Sequence, residues 1–74
     1  MNKNIKKGAI FYQGIWAYKI VRIIKEDDIL VLQEISQINH NKKISSEFNF
    51  FISSLERAKN LIFINEDKQL EFEF

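Results

Sequence analysis

Within "IWAYKIVRIIK", residues 15–25, an indole, a phenol and three cations are interleaved with aliphatic side chains. Small barrels hold single nucleic-acid strands with such sets, rings stacking on bases while Lys and Arg neutralise phosphates. Alternate residues of an unbroken strand share a face, which would put Trp16, Tyr18 and Arg22 together. Lys19, Lys6 and Lys7, with the pair Lys42 and Lys43, would add positive charge. Against this reading, the net charge is only +1 and the pI about 8.0, below the range of dedicated binders. The same rings also serve a core. A small fold has few side chains this large, so Phe11 is expected buried and Trp16 and Tyr18 partly buried.

Catalytic and metal chemistry find little support. The one His, His40, lies in a polar stretch, and the chain has no Cys. A nucleophile, a base and an orienting group are therefore not recognisable as a set, and no phosphate-cradling or hydrolase motif occurs. His40 reads as a surface loop residue and the protein as a non-enzyme without cofactors. One His without Cys rules out the usual structural zinc sites. Glu26, Asp27 and Asp28 cluster at one point but lack the spaced oxygens and the Gly of a calcium loop. They read as a solvated turn, or as an acidic contact for a basic partner.

Protein docking rests on a different ring. If a helix begins near Ser46, Phe50 sits opposite its apolar stripe, beside Ser54 and Arg57. An exposed Phe among polar residues is a plausible anchor for a partner, and packing beneath the 36–46 loop is the alternative. Phe50 and Arg57 are thus the candidate contacts, with Lys42, Lys43, Asp27 and Asp28 as steering charges.

The elements follow from patterning. Residues 9–12 are β-prone, Gly14 marks a turn or bulge, and 15–25 form a strand too long to stay flat. "KEDD" breaks it, and "ILVLQEI", residues 29–35, returns as the hairpin partner. Residues 36–46 are a polar loop. Ser45 and Ser46 can cap a helix at 46–60, whose stripe is Phe48, Phe51, Ile52, Leu55, Ala58 and Ile62. "LIFIN" and "QLEFEF" then flank "EDK" as a closing hairpin, with Leu70, Phe72 and Phe74 on one side. The order β-β-β-α-β-β makes an α+β fold. It is a strongly curved antiparallel sheet, or a partly open barrel, with one helix packed on it. Gly8 followed by a strand and a long hairpin resembles the SH3-like barrels in architecture over the first half. A four-turn helix before the last two strands departs from that pattern.

Seventy-four residues make a single domain, 1–74, near the lower size for folding without staples. Thirteen Ile and seven Phe supply the apolar mass; the absence of Pro and the two Gly argue against a linker. Residues 1–25 carry six basic side chains and no acid, whereas 26–34 carry four acids and no base. Strand pairing would let these segments neutralise each other; otherwise the molecule has a basic and an acidic side. No apolar run approaches the roughly 20 residues of a membrane span, and the N-terminus lacks a cleavage pattern, which points to a cytoplasmic protein. An Ile-, Lys- and Asn-rich composition suggests AT-rich DNA. The expectation is a small protein-binding module, an inhibitor of phage or mobile-element origin of the anti-CRISPR or anti-restriction type, that occludes a larger protein. A nucleic-acid-binding barrel and an accessory subunit of a larger complex are the alternatives. An open strand edge would also permit a homodimer.

Overall fold

Gly14 sets the first hairpin. In the computed structural model, which describes residues 4–64, β1 (Ile10–Gln13) and β2 (Trp16–Ile24) pair with Gln13 opposite Trp16. That leaves a two-residue loop, Gly14–Ile15, with Gly14 at φ +62°. A positive φ at the first loop position is the backbone that matches strand twist, and Gly reaches it without a Cβ clash. The acidic run closes the second hairpin. Lys25–Asp27 form one 3₁₀ turn, Asp28 follows in the left-handed region, and β3 (Ile29–Ile35) returns along β2. β4 (Phe48–Phe51), a short helix α1 (Ile52–Arg57) and β5 (Leu61–Ile64) complete the described chain. The five strands make one antiparallel sheet in the order β4-β3-β2-β1-β5. The predicted last strand, residues 69–74, lies outside the described residues.

The helix is shorter than its spacing predicts. Phe48–Phe51 is a strand paired to β3, and only Ile52–Arg57 is helical. Ser45 does not cap it. Its Oγ accepts the Glu34 N–H at 3.0 Å, tying the chain to the end of β3 instead. Asp28 supplies the cap from 25 residues away. Its carbonyl accepts the Ile52 N–H at 3.0 Å, and its carboxylate accepts the Ser53 N–H at 3.1 Å and the Ser53 hydroxyl at 2.7 Å. Helix ends leave N–H groups in need of such acceptors.

A bulge divides the candidate residues. The β2–β3 register shifts between Ile20 and Arg22, so two residues of β2 oppose one of β3 and side chains beyond the bulge change face. Directly paired residues share a face. One face, here the aromatic face, therefore carries Phe11, Trp16, Tyr18, Ile20, Ile23, Leu30, Leu32, Phe48, Phe50 and Phe63. Its core joins Phe11, Ile20, Leu30 and Leu32 to Ile52 and Leu55 of α1 and to Ile5 before β1. The opposite, basic face carries Ala17, Lys19, Arg22, Gln33 and Ile35. Its smaller core of Ile10, Ala17 and Ile35, with Tyr12 and Ile64 against it, is flanked by the β3–β4 connection. There the Tyr12 hydroxyl lies 2.8 Å from His40 Nε2.

Candidate functional site: a docking edge and a basic groove

The three residues expected on one nucleic-acid-binding face do not assemble as predicted. The unbroken-strand reading placed Trp16, Tyr18 and Arg22 together; the bulge instead sends Arg22 to the basic face beside Lys19. Tyr18 is half-buried, tilted against Phe11 at 5.5 Å between ring centroids and edge-on to Phe48 at 6.0 Å. Burial, and secondarily the Glu34 carboxylate opposite it, raises the Tyr18 phenol above its ordinary pKa. Phe11 is fully buried, and Trp16 is 49% exposed at the end of β2. The rings of Trp16 and Tyr18 and the cations Lys19 and Arg22 therefore lie on opposite sides of the sheet. The pairing of β2 with β3 does not neutralise the charge segregation either. Glu34 faces with Tyr18, away from Lys19 and Arg22, and neither cation has a salt-bridge partner among the described residues.

The predicted protein contacts are redistributed as well. Phe50 stands on a strand, not on the polar side of a helix, and remains 38% exposed. Arg57 is exposed in the last turn of α1. Asp27 is exposed, but Asp28 is committed to the helix cap, so its carboxylate has a structural task. Lys42 and Lys43 are exposed in the β3–β4 connection, Lys43 bridging to Ile35. Lys6 and Lys7 are exposed in the turn before β1, where the Gly8 N–H donates to the Ile20 carbonyl. His40 is half-buried rather than a free surface residue, because of its bond to Tyr12.

β4 is the first candidate surface. All four of its residues, Phe48, Asn49, Phe50 and Phe51, are exposed, and among the described strands β4 ends the order. The direction of its backbone groups follows from one bond. Ile52 donates to Asp28 in register with the β3–β4 ladder, and hydrogen-bonded pairs alternate along an antiparallel ladder. Phe50 and Phe48 are therefore bonded to β3, whereas the Asn49 N–H and C=O and the Phe51 N–H point out of the sheet. Among the described residues neither Asn49 nor Phe51 has a hydrogen-bond partner outside the ladder and α1. Natural edges are usually blunted by Lys, Pro or a bulge. This four-residue edge has none of them. Phe48 and Phe51 were missed as surface residues because their spacing also fits a helical stripe; the run of three Phe around one Asn was the available strand signal.

The second surface is a groove of about 390 Å³, whose lining includes Lys7, Lys19, Gln33, Ile35, Asn41 and Lys43. Three separate elements bring its lysines together: the turn before β1, β2 and the β3–β4 connection. Gln33 donates to the Ser45 carbonyl at 2.8 Å, which holds the connection against β3. Glu47 is the acid in the lining, and Lys7, Lys19 and Lys43 make no ion pair with it.

Among the described residues no group of three or more acids and His is placed to hold a metal ion. No helix there is long and apolar enough to cross a membrane. No protein-family model, curated protein or solved structure matches the chain.

Proposed function

We propose that the protein is a small non-enzymatic binding module that docks a larger protein along β4 and acts by occluding the surface it covers. The observation that carries this reading is the β4 edge: outward N–H and C=O groups at Asn49 and Phe51 flanked by three exposed Phe rings. Main-chain groups in that row are complementary to an extended segment of a partner, which would add as a sixth strand. Phe48 and Phe50 on one side and Phe51 on the other supply apolar anchors. An inhibitor of the anti-CRISPR or anti-restriction type, from a phage or mobile element, is the setting we assign. Its support is the small domain size and the Ile-, Lys- and Asn-rich composition. The matching fold reading is a partly open SH3-like barrel. It is supported by the order of the described strands, by the short helix between β4 and β5 and by the bulge that bends β2.

Asn49→Pro tests the edge directly, because it deletes an outward donor and leaves the bonds to β3 in place. Tagged wild-type protein should recover one stoichiometric protein from host lysate, unaffected by nuclease. Asn49→Pro and Phe50→Ala should each lose it while their melting temperatures stay within a few degrees of wild type. Undiminished capture by both variants would sink the reading.

A further inference from the structure

The basic face carries a site that the docking edge does not use. We propose that the groove lined by Lys7, Lys19 and Lys43 holds the phosphate backbone of a single-stranded nucleic acid. Its three lysines are exposed, and among the described residues none of them makes an ion pair. Lys is a flexible point charge that suits phosphates without demanding one geometry. The bulge at Val21, itself part of the lining, places Arg22 on the same face and extends the positive strip along β2. Two amides, Gln33 and Asn41, add donors and acceptors, and Ile35 gives the lining an apolar part. The arrangement reads charge and backbone and carries little base-edge specificity. An acidic peptide is the competing ligand. It would present carboxylates at irregular spacing, whereas lysines drawn from three elements suit a regular chain of phosphates.

The test is fluorescence anisotropy with labelled oligothymidylate and oligouridylate of about twelve residues, within the usual site sizes. Three phosphate contacts predict a log affinity falling with log salt at a slope of about −2, so affinity drops roughly 16-fold over a fourfold rise in salt. The combined variant Lys7→Gln, Lys19→Gln, Lys43→Gln should lose at least about tenfold in affinity and most of the salt slope. Lys59→Gln, an exposed charge outside the groove, should bind as wild type does. Amide shift changes on titrating the wild-type protein should centre on Lys19, Gln33, Asn41 and Lys43, a readout that does not depend on how the variant folds. A preference for the ribose or the deoxyribose strand would name the physiological source, through the 2′-hydroxyl. Equal binding of a polyglutamate chain, an undiminished triple variant, shifts centred elsewhere or no binding at low salt would each overturn the proposal. None of these results bears on β4.

Discussion

The two faces of this sheet are built from the same strands, and they differ in what covers them. The aromatic face is closed by α1 and by Ile5, with Phe63, Phe11, Tyr18 and Phe48 in ring contact across four strands. The basic face has a smaller core, flanked by a polar connection held by side-chain hydrogen bonds. Burial of large rings is roughly proportional to apolar area removed from water, whereas each hydrogen bond adds about 1 kcal/mol net. Stability should therefore reside on the first face, and adaptability and charge on the second. One strand thus serves both needs, because a single bulge lets β2 bury Ile20 on one side and still present Lys19 and Arg22 together on the other.

Three substitutions would break or sharpen that contrast. The largest effect is expected at Phe11, 1% exposed and in contact with both Tyr18 and Phe63. Phe11→Ala should cost about 3–5 kcal/mol, a large share of what a domain of this size has, so urea denaturation should show a midpoint near zero. On the other face, Tyr12→Phe removes the hydroxyl that meets His40 and the Gln37 carbonyl. A loss of about 1 kcal/mol is expected, with faster amide exchange at Ile38, Asn39 and Asn41, the turns that pack beside it. A loss as large as that of Phe11→Ala would mean the two faces are equally structural.

The smallest effect is electrostatic. The Tyr18 pKa is raised, first by burial and then by Glu34. A raised phenol pKa in the fold gives stability that is present below the unfolded value of about 10 and lost as pH rises through the folded one. Glu34→Gln should bring the Tyr18 titration down towards its ordinary position in an ultraviolet absorbance titration. The remaining elevation would then measure burial alone.

Much of the fold could be read from the sequence, and the failures have physical causes. Gly14, the "KEDD" run and the alternation in residues 29–35 are local signals, and the meander they predict is present. The β4 segment was ambiguous. Phe48, Phe51, Ile52 and Leu55 fit a helical stripe, and Phe48 and Phe50 fit a strand; pairing to β3, a tertiary contact, decides between them. Ile52 and Leu55 are buried as the stripe predicted, so the helix was placed on the correct side but begun six residues early. The face of Arg22 could not be read because the bulge residue is Val21, which carries no composition mark, unlike a Gly. The groove likewise unites Lys7, Lys19 and Lys43, which are separated in sequence and joined only by the sheet.

The remote cap on α1 also sets the order in which this chain can assemble. Six residues are far below the length at which a helix persists alone. The acceptors for Ile52 and Ser53 sit on Asp28, which reaches its left-handed conformation only when β2 and β3 have turned back on each other. Residues 52–57 thus have no local nucleus and must wait for the hairpin to close. The β4 edge immediately before them pairs with β3, so it too depends on that hairpin having formed.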